Sequence, residues 1–239
     1  MDNIKHKILV MSGKGGVGKT TIAVNLAYAL SEKGFKVGLL DADIHGPNAP
    51  KMLNLGNKKL NIENDKLIPI KFSDNLKIIS MAFLLKEKDA AIWRGPMKHN
   101  VIKQFIEDVR WDKLDYLIVD LPPGTGDEAL SVSQLLKDIT GTIIVSTPQE
   151  VALLDGIKSI DFSKKLNLPI IGLIENMSGE VFGEGGVEET AKKENIEFIG
   201  RLKLNVKIRK AGDKGAPFEI KELFNNMTNN IQIICEKNE

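Results

Sequence analysis

Ser12-Gly13-Lys14-Gly15-Gly16-Val17-Gly18-Lys19-Thr20-Thr21 follows an apolar run, Ile8-Leu9-Val10-Met11, and opens into Ile22-Ala23-Val24-Asn25-Leu26-Ala27. A strand, a glycine-rich loop and a helix in that order are what a phosphate-binding loop requires. Glycines admit backbone angles closed to other residues, so several N–H groups can converge on one anion. The helix adds its positive end and its unpaired first-turn N–H groups. The whole of Gly13, Lys14, Gly15, Gly16, Val17, Gly18, Lys19, Thr20 and Thr21 is therefore expected to bind a nucleoside triphosphate. Lys19 is expected at the β- and γ-phosphates and the Thr20 hydroxyl on Mg²⁺. Lys14, directly after the first loop glycine, cannot easily fold back onto phosphates enclosed by its own loop; it can point outward, toward another subunit.

Around this loop the chain reads as one α/β domain spanning residues 1–239. It is long enough for a well-buried core. With 33 Lys and Arg against 32 Asp and Glu, it carries no global field toward nucleic acid or lipid. Aromatic residues make up only 5%, sparse for a base-stacking surface. No run reaches the roughly 18 apolar residues of a membrane span, and no signal-peptide pattern precedes the first strand. One cysteine, Cys235, excludes an internal disulfide framework. The expectation is a cytoplasmic protein with neither nucleic acid nor membrane as partner.

Further apolar runs read as strands at 35–40, 76–80, 116–120, 142–146 and 170–174. Helical stripes intervene at 22–33, 101–109 and 153–160, with further helices over 186–194 and 221–235, a short helical stretch at 51–55 and a surface hairpin within 57–71. Strands alternating with helices at this spacing predict a doubly wound, mostly parallel sheet with helices on both faces. Such sheets bind ligands beyond the carboxyl ends of their strands.

Three carboxylates fall at those ends. Asp120 closes the strand Tyr116–Asp120 and suits a Walker B role on the Mg²⁺ side, facing Thr20. The Pro122-Pro123-Gly124-Thr125-Gly126 segment after it can sense a γ-phosphate through the Gly124 N–H. Asp41 and Asp43, two apart on an extended segment, share a face; one can serve the metal shell while the other positions the attacking water. His45 and His99 lack metal-ligand spacing and read as ordinary polar residues. Trp93-Arg94-Gly95-Pro96-Met97 reads either as a contact to a partner or as a helix-entry loop.

The GKGGVGKT stretch resembles the deviant phosphate-binding loop of the ParA/MinD/nitrogenase-iron-protein class of dimeric ATPases. That resemblance implies that Lys14 crosses a dimer interface to the partner's ATP. It also implies Asp43 for the water, Asp41 for the metal side, and Asn176, in Glu175-Asn176-Met177, for reading adenine through its amide. Longer stretches narrow the likeness: Asp41 to Pro50, Trp93 to Met97, Asp115 to Asp127, Thr147 to Ala152, Glu175 to Ser178 and Phe182 to Gly186. Together they resemble the Mrp branch of iron–sulfur cluster carrier ATPases, from about Lys7 to Pro217. The resemblance implies ATP and Mg²⁺, a homodimer or a heterodimer with a cysteine-bearing relative, and apo iron–sulfur proteins as clients.

The chain departs from the branch at one place. Between Asn-Met-Ser and Phe-Gly-Glu-Gly-Gly the branch carries a C-x-x-C pair, and two such pairs would hold a bridging [4Fe–4S] cluster. Here Ser178-Gly179-Glu180-Val181 joins the flanks without a thiol. Cys235 lies far away, and a homodimer would supply two thiolates where four are needed; it reads as a small apolar-like residue of the last helix. The expected function is a slow ATPase switch assisting iron–sulfur or related metallocofactor assembly. The alternative is a positioning or partitioning ATPase of the ParA/MinD type. Residues 218–239 set two lysines against four glutamates, the wrong sign for a lipid-binding tail.

Overall fold

The computed structural model describes residue 1, residues 3–84 and residues 95–237, with residues 95–98 as backbone only. The first half runs β1 (Ile4–Met11), α1 (Lys19–Glu32), β2 (Val37–Asp41), α2 (Ala49–Met52), β3 (Asn61–Glu63), β4 (Lys66–Ile68), β5 (Ile70–Lys71), β6 (Leu76–Ser80) and α3 (Gly95–Glu107). The second half runs β7 (Leu114–Asp120), α4 (Asp127–Leu135), β8 (Gly141–Ser146), α5 (Glu150–Lys165), β9 (Ile170–Ser178), α6 (Gly186–Glu194), β10 (Phe198–Lys203), α7 (Val206–Lys214) and α8 (Asn225–Lys237). Of the Trp93–Met97 stretch, Trp93 and Arg94 lie outside the described residues, and α3 opens at Gly95.

One eight-stranded sheet, in the order β10-β9-β8-β1-β7-β2-β6-β5, forms the centre. All its pairings are parallel except that of β5 with β6. The expected doubly wound architecture is what forms, because strands buried on both faces need helices on both. The alternation is explicit in β1. Ile8 and Val10 enter one apolar layer with α1 and α8, while Leu9 and Met11 enter the other with α3, α5 and α6. β2 and β7 repeat it, with Leu39 and Ile118 on the first face and Leu40 and Val119 on the second. The hairpin expected within 57–71 is β3–β4, antiparallel, with Asn61 opposite Ile68.

Two local departures matter for the site. β9 runs past the apolar Ile170–Ile174 core through Glu175 and Asn176 to Ser178, because β10 pairs along it and supplies backbone partners beyond the apolar run. The last helix starts later than residue 221: Lys221–Phe224 is a 3-10 turn before α8. α8 presents Met227, Thr228, Ile231 and Cys235 to the core, so its apolar face is covered by the protein itself.

Cys235 is fully buried in that layer. Its thiol is therefore expected to resist a water-soluble disulfide reagent in the native protein and to react in one kinetic phase in denaturant. Rapid native labelling, read by absorbance, would contradict the packing of α8.

Candidate functional site

Parallel register brings the carboxylates together. Asp120 pairs with Asp41 across β2–β7 and with Val10 across β1–β7, so both carboxylates lie beside the loop that leaves β1. Between β1 and α1 that loop turns through left-handed angles at Gly16 (φ 81°) and Gly18 (φ 85°). Gly18 is also the N-cap of α1 and offers no side-chain acceptor to the first-turn N–H groups, which leaves them for an anion. A β-carbon at Gly13 would overlap the Asp155 carbonyl of α5, and one at Gly18 would overlap the Asn176 amide. Gly13 is thus demanded by close packing, Gly16 by angle and Gly18 by both.

Lys19 Nζ lies 2.7 Å from Asp120 Oδ1, and the Thr20 hydroxyl donates to Asp120 Oδ2 at 2.6 Å. Asp120 is fully buried and Lys19 nearly so. Burial pushes the Asp120 carboxyl up from its ordinary range, against the opposing pull of Lys19 and Thr20. Asp41, equally buried, is pushed up to about 8, first by burial and then by the charge of Asp120. Ser80 donates to Asp41 Oδ2 at 2.8 Å, the Ala49 N–H to the same oxygen at 3.2 Å, and the Asp43 N–H to Oδ1 at 3.3 Å. Asp41 therefore anchors both ends of the 42–49 loop that carries Asp43. Asp43 Oδ1 in turn accepts from the N–H groups of His45 (3.0 Å) and Gly46 (3.1 Å).

The Pro-Pro-Gly-Thr-Gly segment lies against the loop, as Gly124 (φ 83°) donates its N–H to the Ser12 carbonyl at 2.8 Å. Here that N–H is committed to the protein, so reaching a γ-phosphate requires an exchange of acceptors. His45 Nε2 sits 3.3 Å from Glu128 Oε1 of α4, bridging the Asp43 loop to the segment after Asp120. His99 Nδ1 meets the Ser131 hydroxyl at 3.1 Å. Lys14 is half-buried, and its backbone carbonyl accepts from the Ser12 hydroxyl at 2.9 Å.

Asn176 is buried and donates through Nδ2 to the Val17 carbonyl at 2.8 Å, bracing the loop from β9. It also lines, with Thr21, Met52, Met177, Lys203 and Leu204, a cavity of about 390 Å³ next to the start of α1. The β10–α7 wall of this cavity carried no sequence signal, because Lys203-Leu204-Asn205 reads as an ordinary polar turn. Ser80 was equally silent. Glu175 was visible only as a charge at the end of an apolar run.

The donor set fits a magnesium nucleotide. It offers hard oxygen ligands in Thr20 and Asp120, an ammonium at Lys19 and uncapped N–H groups beside them. Among the described residues no preformed group of three or more His, Cys, Asp or Glu could hold a metal. A magnesium ion that keeps water and phosphate oxygens as ligands needs no such cage.

A family profile described as ParA, NUBPL iron-transfer P-loop NTPase, matches residues 3–238. This chain belongs to that family. A protein of Methanocaldococcus jannaschii named iron-sulfur cluster carrier protein is 52% identical over 228 residues, covering 91% of this chain and 79% of the relative. A Saccharolobus solfataricus protein of the same name is 46% identical, covering 92% and 78%. Among solved structures, a nucleotide-binding protein from Archaeoglobus fulgidus in complex with ADP is 37% identical, with a TM-score of 0.79 over 90% of this chain and 88% of that one. The cell division ATPase MinD of Pyrococcus furiosus, 21% identical with a TM-score of 0.76, shares the fold. The family thus makes the chain a P-loop ATPase that uses ATP and Mg²⁺.

The bridging cluster expected of the Mrp branch does not fit these residues. The segment that would carry its ligands is a tight hairpin closed by reciprocal bonds, Gly179 N–H to Gly183 O (2.9 Å) and Gly183 N–H to Gly179 O (2.8 Å). Its residues are Ser178-Gly179-Glu180-Val181-Phe182-Gly183, and the lone thiol of the chain is buried elsewhere.

Asp41 gives the site a pH signature. Its folded-state carboxyl titrates near 8 against 3.8 as a free group, so between those values the folded chain holds a proton that the unfolded chain releases. The stability this contributes is complete below the lower value and is lost as pH rises through the upper one. The thermal midpoint of the nucleotide-free protein is expected to fall between pH 5 and 8.5, and Asp41→Asn is expected to flatten that slope in calorimetric scans.

Proposed function

We propose that this chain, acting as one ATPase domain over residues 1–239, is a dimeric Mg-ATP switch that assists assembly or transfer of iron–sulfur or related metallocofactors without holding a bridging cluster of its own. The observation that carries this reading is the Lys19–Asp120–Thr20 constellation around the buried Asp120, at the start of the helix whose Thr21 lines a cavity of about 390 Å³ together with Asn176. The names of the relatives, iron-sulfur cluster carrier protein, supply the class of cargo. The cluster itself is substrate here, received and passed on by others.

In this reading Gly13 to Thr21 wrap the phosphates, and Lys19 leaves Asp120 to neutralise the β- and γ-oxygens. Thr20 and Asp120 would hold Mg²⁺, which would offset charge on the β- and γ-phosphates, with Asp41 behind them. Asp43, held in its turn by His45 and Gly46, orients the attacking water. Hydrolysis through a loose transition state needs positioning and charge compensation more than a strong base. Gly124 exchanges Ser12 for the γ-phosphate, which links nucleotide state to the segment leading into α4. The base enters the cavity beside Asn176, whose Oδ1 and second amide hydrogen are left for it once Val17 is satisfied. Lys14 reaches the nucleotide of a partner, either a second copy or a cysteine-bearing relative. Nucleotide closes the pair and hydrolysis opens it.

The positioning or partitioning alternative gains nothing from the 21% likeness to MinD, which shows fold alone. Nor can α8 serve it as a free amphipathic helix, since the apolar face of α8 is core.

Asp43→Ala is expected to cut ATP turnover about 100-fold while leaving nucleotide affinity within a few-fold; unchanged turnover in a phosphate-release assay would overturn the assignment. Anaerobic reconstitution with iron and sulfide is expected to leave iron per dimer far below that of one [4Fe–4S] cluster. A stoichiometric cluster lost in Cys235→Ser, read by visible absorption, would refute the cluster-free reading.

A further inference from the structure

Glu175 is fully buried, yet the nucleotide chemistry makes no use of it. Its carboxylate accepts the Gly185 N–H at 3.0 and 3.1 Å, the Val187 N–H at 3.0 Å, and Arg201 Nε at 2.5 Å. Gly185 is the N-cap of α6 and has no side chain to cap with, so Glu175 does from β9 what a capping residue would do. Arg201 stands opposite Glu175 in the β9–β10 register. It spends its two remaining nitrogens on Glu184 and Glu188, each at 3.0 Å. One guanidinium thereby ties the strand end, the residue before Gly185 and the first turn of α6 into one body.

The next residue is Asn176. Successive strand side chains point to opposite faces, and here the alternation joins two functional parts. Glu175 faces the α6 layer, where Leu173 and Val187 pack. Asn176 faces α1 and braces Val17 and Gly18. Ser178, two residues on, accepts the Leu204 N–H at 2.9 Å and starts the 178–183 hairpin. The hairpin and α6 are thus tied to the strand end at Glu175, whose chain neighbour is Asn176.

We propose that Glu175, held by Arg201, is a positioning residue for the nucleotide site. It fixes the strand end from which Asn176 supports the phosphate loop, and so couples the 178–183 hairpin to nucleotide affinity. The proposal rests on the ATP reading above. It differs from mere capping of α6 in what it expects: capping alone would alter stability and leave nucleotide binding untouched.

The test uses the full chain. Glu175→Gln keeps an acceptor for the α6 N–H groups but loses the ion pair; it is expected to raise KM for Mg-ATP about tenfold with kcat changed less than twofold. Arg201→Lys, which keeps the charge, is expected to recover part of the affinity lost in Arg201→Met. In the wild type, Mg-ATP is expected to slow amide exchange at Gly179 and Gly183, and Arg201→Met to abolish that response. An unchanged KM in folded Glu175→Gln and Arg201→Met overturns the proposal, as does an intact exchange response in Arg201→Met. If Glu175→Gln does not fold, the double variant Glu184→Gln/Glu188→Gln takes its place, because it removes only the outer carboxylates of Arg201. Failure of the underlying ATP reading would look different, since the wild type itself would neither turn over ATP nor respond to it.

Discussion

Two carboxylates buried side by side on adjacent parallel strands, with a single ammonium against one of them, are the constraint on which the rest of the site depends. Burial and the nearness of the two groups push both carboxyls up, so Asp41 keeps its proton up to about pH 8, while Lys19 and Thr20 support the charge on Asp120. Leaving such charge in a low-dielectric interior is unfavourable unless further donors or cations arrive. The protein supplies some of them: Ser80 and two backbone N–H groups for Asp41, and the Thr20 hydroxyl for Asp120.

That same constraint explains which parts could be read from sequence. The phosphate loop was legible because glycines, a lysine and a threonine at fixed spacing have few other uses between a strand and a helix. Asp120 and Asp41 were legible because a charge closing an apolar strand needs a reason. The doubly wound sheet followed from alternation of apolar runs and helical stripes. Ser80, the β10–α7 wall of the cavity and the capping duty of Glu175 were not legible. Each depends on register between strands far apart in sequence, and a serine, a leucine in a turn or a glutamate has no periodicity that reveals such a partner. Asn176 lay between these cases: its place at a strand end was plain, while its bond to Val17 exists only because β9 runs beyond its apolar stretch.

The stretch where the resembled branch would place a cysteine pair is closed on itself in this structure. Reciprocal Gly179–Gly183 bonds close the hairpin without a metal, and Arg201 with its three carboxylates secures the chain where it enters α6.

The Gly124 N–H is already committed to the Ser12 carbonyl at 2.8 Å, so any acceptor that draws it away gains only the difference between two bonds. For an anionic acceptor that difference is the one between a charge-assisted bond and an ordinary one, of the order of 1 kcal/mol. One such contact discriminates by a factor of about five to ten. An acceptor that recruits this N–H therefore competes with the loop itself, and the exchange loosens the contact between the Pro122–Gly126 segment and Ser12.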